Sequence, residues 1–199
     1  MARQVVNGPK AGVATVSSHG STLRCVDDAG VEFVIRQARP SDAGAVGDIL
    51  AELARSEDFI LLSPEEIGAD VVRRAEDLAR MEKNSVRWHV AIVEQAGGIV
   101  GMLDLRAVPL KKCDHVMELG LGLVAEATDR GIGTQLILYA LARARDLGYR
   151  KVRLFVIACN DRARHVYRKV GFEETGRFID EVRVGDGIED LIVMEKPLQ

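Results

Sequence analysis

One segment limits the possible folds more than any other: HVMELGLGLVAEATDRGIGTQLILYALARARDLG, residues 115–148. An apolar strand ends near Val124, a glycine-punctuated turn follows, and the chain then enters a helix expected from about Thr134 to Leu147. Ile132, Leu136, Ala140 and Ala144 recur every four residues, and Ile137 and Leu141 widen that stripe, so the helix is expected to be well buried. Gly148 is a natural stop. The next run, VRLFVIA, is nearly all apolar, as expected for a strand covered on both faces.

The flanking sequence adds alternating elements. TLRCV and VEFVIRQA surround DDAG and read as a hairpin. Pro40-Ser41-Asp42 opens a helix capped by Ser41 or Asp42, with Val46, Ile49, Leu50 and Leu53 on its apolar face. Ser63 caps a second helix, with Pro64, Glu65 and Glu66 in its first turn, expected to run through VVRRAEDLARM. WHVAIVE and IVGMLDLRAV are strands joined by QAGG, and a loop with Lys111-Lys112 leads into the strand described above. After VRLFVIA, Asn160 or Asp161 caps a short helix carrying Ala163, Val166, Tyr167 and Val170 on one face, ended by Gly171. Two final strands, Glu173–Val184 and Ile188–Glu195, surround GDG. The order gives one mixed α/β domain with a central sheet over residues 22–199. Residues 1–21, small and polar without a sustained period, are expected to form a flexible N-terminal arm.

Composition excludes several classes. The net charge of −3 gives no general basic footprint for nucleic acid. The chain has no apolar run long enough for a membrane span, and its start lacks the apolar core of a signal peptide. Cys25, Cys113 and Cys159 are too few and too scattered for a disulfide framework and have no zinc-ligand spacing. They are expected to be reduced thiols in a cytoplasmic protein, and no metal is expected.

The turn carries the chemistry. The first turn of a helix leaves backbone N–H groups unpaired, and its dipole favours anions. Gly131 and Gly133 would let a phosphate approach those groups, although a plain strand-to-helix connection needs the same glycines. The Gly-Lys-Ser/Thr of a Walker loop and the GxGxxG of a dinucleotide site are both absent. Gly120 and Gly122 interrupt the preceding strand, which suggests either a bulge that would splay it from VRLFVIA or a plain glycine-tolerant edge. Its unpaired amides could then accept an extended, amide-containing ligand like an added strand, and the pantetheine arm of coenzyme A has that character. Tyr167, taken alone, reads as a core tyrosine with a satisfied hydroxyl.

Together, ELGLGLV…DRGIGTQLILYALARARDLGYRKV and NDRARHVYRKVGFEETGR resemble the GCN5-related N-acetyltransferase (GNAT) family. The resemblance extends from FVIRQARPSDAG to the C-terminus. It implies a mixed sheet splayed in the middle, with acetyl-CoA as acyl donor in the V-shaped opening. Aligned with the family's donor loop are Thr128, Asp129, Arg130, Gly131, Ile132 and Gly133, followed by Thr134. Thr128 replaces a long polar residue, Asp129 stands where glycine is common, and Glu126 where proline is common. Two acids there oppose a pyrophosphate, and Arg130 is the expected compensating cation. The resemblance further implies that Leu123, Val124 and Asn160 meet pantetheine, with a Val124-region N–H stabilising the oxyanion. It makes Tyr167 the general acid for the departing thiolate and Glu118 the general base. His115 and His89 are secondary candidates for the base.

The expected reaction is direct acetyl transfer to a primary amine whose identity the sequence does not disclose. The alternative is a catalytically silent coenzyme-A-binding or regulatory module on the same fold. A homodimer is compatible with exposed sheet edges. Residues 143–169 hold nine Lys/Arg against two acids, a stretch suited to coenzyme A phosphates or to a solvated helix face. Residues 173–195 hold eight Asp/Glu against two Arg, suited to a cationic acceptor or to an ordinary surface.

Overall fold

The computed structural model describes residues 15–16, 22–56, 61, 64–67, 71–84 and 86–198. Its strands are β1 (Thr15–Val16), β2 (Thr22–Val26), β3 (Glu32–Gln37), β4 (Trp88–Gln95), β5 (Gly98–Ala107), β6 (Val116–Leu123), β7 (Lys151–Ile157), β8 (Glu173–Val184) and β9 (Gly187–Pro197). Its helices are α1 (Ala43–Ser56), α2 (Pro64–Ile67), α3 (Val71–Lys83), α4 (Ile132–Asp146) and α5 (Asp161–Lys169). The described strands form one mixed sheet in the order β1-β2-β3-β4-β5-β6-β7-β9-β8. Among the described strands, only β6 and β7 pair in parallel, because α4 carries the chain back between them.

Local chemistry explains the connections. The Asp27 carboxylate accepts from the N–H groups of Ala29 (3.0 Å) and Val31 (2.9 Å) and so builds the β2–β3 turn. Between β4 and β5, Ala96 and Gly97 both take positive φ, 51° and 85°, as a tight two-residue hairpin turn requires. α1 packs against α3 and β5, α3 against β4, and α4 against β5 and β6. The core joins Ile35, Ile92, Leu103 and Leu105 of the sheet to Ile132, Leu136, Ile137 and Leu141 of α4.

Several boundaries differ from the sequence reading. The first helix begins as a 3-10 turn over Pro40–Asp42, and Asp42 reaches back to the Arg39 N–H (2.7 Å) instead of capping forward. Arg36 also claims Asp42 and Glu94, which fixes this entry to the sheet. The long second helix is two described helices, α2 and α3; Ser63 and residues 68–70 lie outside the described residues. α4 starts at Ile132, two residues early, because Gly131 adopts φ 78° and takes the N-cap position itself. β7 is buried on one face only: Val152, Leu154 and Val156 are buried, while Arg153 and Phe155 are half-buried. Of the expected arm, Thr15–Val16 pair with β2, and its remaining residues lie outside the described set.

The splay is present without the expected bulge. β6 pairs with β7 only at Val116, Met117 and Glu118. β6 then continues with β5 as far as Leu123, in unbroken register through Gly120 and Gly122. β7 continues with β9 as far as Ile157. Each strand keeps its outer partner and loses the inner one, so no inserted residue is needed. Gly101 holds β6 close to β5, since a Cβ there would collide with the Leu123 side chain and lie 3.0 Å from the Gly122 carbonyl.

Candidate active site

The split between β6 and β7 opens into a cleft of about 590 Å³. One side is floored by alternate residues of the sheet: Trp88 and Val90 on β4, Met102, Asp104 and Arg106 on β5, Glu118, Gly120 and Gly122 on β6, and Phe155 on β7. Leu50, Leu53 and Met81 of α1 and α3 wall this end. At the other end lie Leu123, Thr128, Asp129, Gly131, Gly133, Thr134, Asn160 and Tyr167. Most residues expected at the site therefore do converge on one cleft.

The donor end presents backbone donors. The N–H groups of Gly131, Ile132, Gly133 and Thr134 make no hydrogen bond among the described residues; the intrahelical ladder begins with Gln135 N–H to the Gly131 carbonyl (3.2 Å). This is the anion-receptive end of a buried 15-residue helix. Ile132 contributes only backbone, because its side chain is fully buried in the core. Just past β6, Val124 N–H donates to the Val100 carbonyl (3.0 Å), and the Val124 carbonyl accepts from Ala127 N–H (2.9 Å). The N–H is thus committed and does not face an oxyanion, contrary to the sequence expectation. Backbone groups alternate along a strand, so Val124 bonding toward β5 directs the N–H groups of Leu121 and Leu123 toward the opening.

Arg130 also departs from expectation. Its guanidinium is ion-paired with Asp27 of the β2–β3 turn and donates to the Glu126 carbonyl (3.3 Å). It does not line the cleft and is not the compensating cation. Thr128 spends its hydroxyl on the Ala125 carbonyl (2.8 Å). Asp129 lines the cleft in a left-handed conformation, φ 54°.

Asn160 caps α5, its Oδ1 accepting from Ala163 N–H (3.0 Å), which settles the choice between Asn160 and Asp161. α5 then places Tyr167 edge-on to Phe172 at 5.9 Å between ring centroids. Tyr167 is 8 % exposed, and its hydroxyl makes no hydrogen bond among the described residues. Burial pushes its pKa up to about 12. The expected satisfied core hydroxyl is therefore not what α5 presents.

At the other end, Glu118 Oε2 is gripped by Arg153 through Nε (3.2 Å) and Nη2 (3.0 Å). Asp104, which the sequence reading missed, sits beside it. Trp88 Nε1 donates to its Oδ1 (2.5 Å), and Arg106 pairs with its Oδ2 (2.9 Å). Burial raises the Asp104 pKa and the Glu118 charge adds to this, against the opposing pull of Arg106 and Trp88. The available signal was an acid inside the apolar run GMLDLRA. His89 is on the opposite face of the sheet, fully buried, with Nε2 3.1 Å from the Tyr139 hydroxyl on α4. His115 is exposed before β6 and does not line the cleft.

The two charge-biased stretches meet at a few ion pairs. Arg164 and Arg168 of α5 share Glu174, and Lys151 pairs with Glu195 (2.7 Å). Among the described residues, no cluster of His, Cys, Asp and Glu could hold a metal ion, and no helix is long and apolar enough to cross a membrane.

Comparison with known proteins agrees with this geometry. Residues 51–172 match the family model described as the acetyltransferase (GNAT) family. A curated relative, the uncharacterised N-acetyltransferase YycN of Bacillus subtilis (strain 168), is 32% identical over 88 residues, 44% of this chain and 55% of the relative. The chain thus matches about half the length of that relative. Among solved structures, a GNAT-family acetyltransferase from Streptococcus pneumoniae superposes with a TM-score of 0.79 at 24% identity, covering 84% of this chain and 99% of the other. YncA from Salmonella typhimurium, solved with its cofactor acetyl-CoA, gives a TM-score of 0.73 at 18% identity, with 84% and 94% coverage.

Proposed function

Because this chain belongs to the GNAT acetyltransferase family, we propose that residues 22–199 form a single domain that transfers an acetyl group from acetyl-CoA to a primary amine by direct attack. One observation carries the reading. One cleft joins the amides at the start of α4, the edge of β6 and the hydroxyl of Tyr167, all without a hydrogen-bond partner among the described residues. The first set suits a pyrophosphate, the second an amide-bearing arm, and the third a leaving group that needs a proton.

An amine of lysine type is mostly protonated at pH 7 and must lose a proton before attack. Glu118 takes that proton, directly or through water; only its Oε2 is held by Arg153. Asp104 is a second carboxylate on the same floor. It pairs in register with Gly120, whereas Glu118 pairs with Arg106, so Asp104 lies two residues, about 7 Å, nearer Gly122 along the strand. The N–H groups at Leu121 and Leu123 face the developing oxyanion. Tyr167 then protonates the departing thiolate, the acylated nitrogen sheds its second proton, which restores the phenol directly or through water, and the carbonyl that loses sulfur becomes the amide. No covalent acyl-enzyme is required.

The test is Tyr167→Phe. Calorimetry is expected to show acetyl-CoA bound within about twofold of wild type. Thiol release with a panel of peptide N-termini, lysine, polyamines and amino acids is expected to fall about 100-fold. Unchanged turnover would remove Tyr167 from the chemistry. Donor binding by wild type with no thiol release on any amine would favour the silent module.

Cys25, Cys113 and Cys159 are unpaired thiols, which fits the proposed cytoplasmic location. A homodimer is proposed along the outer strand β8, where Phe178 and Ile179 are exposed; light scattering reads the association directly.

A further inference from the structure

We propose that Asp27, at the tip of the β2–β3 hairpin, is a positioning residue for the acetyl-CoA loop and acts through Arg130, not on the ligand. This inference presupposes the donor site proposed above. The hairpin lies upstream of the residues matching the family model, 51–172. It nevertheless holds the loop at three places. The Asp27 side chain, wholly buried, forms an ion pair with Arg130. Asp28 N–H donates to the Arg130 carbonyl (3.1 Å). The Asp28 carboxylate oxygens lie 3.0 and 3.1 Å from where a Cβ on Gly131 would be.

Asp27 is itself fixed. Besides Arg130 it accepts from Ala29 N–H, Val31 N–H and, at 2.9 Å, Gln95 Nε2 at the end of β4. Burial works against its charge, but these four donors outweigh it and hold the carboxyl below its ordinary range. A rigid path therefore runs from the sheet through Gln95 and Asp27 to Arg130, and from Arg130 back to the Glu126 carbonyl. Gly131, the next residue, turns left-handed and starts α4. The backbone at 130–131 sets the direction of the N–H groups that would meet the pyrophosphate. Holding it in advance removes ordering entropy that a loose loop would lose on binding. A loop carrying Glu126 and Asp129 has particular need of fixed donors, because its side chains repel the ligand.

The experiment exploits a sign. If Arg130 served as a phosphate ligand restrained by Asp27, Asp27→Asn would release it and tighten binding. If Asp27 positions the loop, the same change weakens binding. Calorimetry with acetyl-CoA is expected to show Asp27→Asn and Arg130→Gln each weakened about tenfold, with the double variant no weaker than the worse single one. With an amine that wild type acetylates, KM for acetyl-CoA rises while kcat stays near wild type, a split that loss of folded protein would not produce. Asp27→Asn binding as wild type or tighter overturns the inference. Should that variant fail to fold, Gln95→Met strips Asp27 of a partner without touching the loop, with the same two outcomes. Failure of wild type to bind acetyl-CoA at all would instead remove the donor-site reading.

Discussion

Asp129 is expected to lower donor affinity without contributing a bond. Its backbone is left-handed, a conformation that aspartate and asparagine tolerate better than most side chains, and the residue lines the cleft two positions before Gly131, where α4 begins. Asp129→Asn keeps the conformation and removes the charge. At about 7 Å in water, two unit charges interact by roughly 0.6 kcal/mol, and a pyrophosphate carries more than one. Acetyl-CoA is therefore expected to bind about threefold tighter to Asp129→Asn at low salt, with the gain fading at high salt as screening sets in. Calorimetry at two ionic strengths checks both; equal affinity at low salt would place the pyrophosphate elsewhere. At this scale the sequence revealed residue types better than partners. The helix-starting turn at Gly131 and the cap at Asn160 were legible because local conformation demands those residue types, whereas Tyr167, from its place on a short helix, read only as a satisfied core tyrosine. Arg130 was misread because its partner, Asp27, is 103 residues away in a turn whose own hydrogen bonds gave no hint of it. Asp104 was missed because Trp88 and Arg106, which accommodate its charge, come together only across β4 and β5.

Strands and helices were legible from periodicity, whereas their divergence was not. Glycines in β6 suggested a bulge, but the opening arises because β6 stays with β5 while β7 stays with β9. No local pattern encodes which edge of a strand goes unpaired; that depends on the packing of its neighbours. Gly101 is the clearest local determinant. A methyl group there would meet Leu123 and the Gly122 carbonyl, forcing β6 outward into the cleft. Gly101→Ala is thus expected to lower stability by about 1–3 kcal/mol, as overpacking commonly does. It should also weaken acetyl-CoA binding through displacement of Leu123. Denaturant titration and calorimetry measure the two effects separately. By contrast, Gly120→Ala, where a Cβ meets nothing within 4 Å, should cost little stability. If Gly101→Ala is as stable as wild type and binds as well, β6 is not held by this approach.

The molecule as a whole rests its sheet on α4, and His89 ties that packing to pH. The side chain is fully buried, its Nδ1 has no partner among the described residues, and its Nε2 meets Tyr139 of α4. Burial, helped by the nearby Arg143 charge, lowers its pKa from 6.5 to about 4. The folded state therefore binds its proton less readily than the unfolded state. Stability from this group is complete above pH 6.5, declines as the unfolded state gains the proton, and is fully lost once pH falls through about 4. At about 1.4 kcal/mol per pH unit, the difference is on the order of 3 kcal/mol. The carboxylates of Asp27 and Asp42, both held below their ordinary value of 3.8, begin to lose their contribution only as pH falls through that value and the unfolded state gains the proton, and the loss is complete once the folded carboxyls protonate. The two windows are thus separable. Denaturant titrations from about pH 8 to about pH 4.5 should show wild-type stability falling mainly below pH 6.5. His89→Leu, which cannot titrate, should lose most of that slope while keeping the acid transition below about pH 4. A variant retaining the full slope between about pH 6.5 and 4.5 would assign it to another group, and α4 would then not be the element through which mild acid loosens this fold.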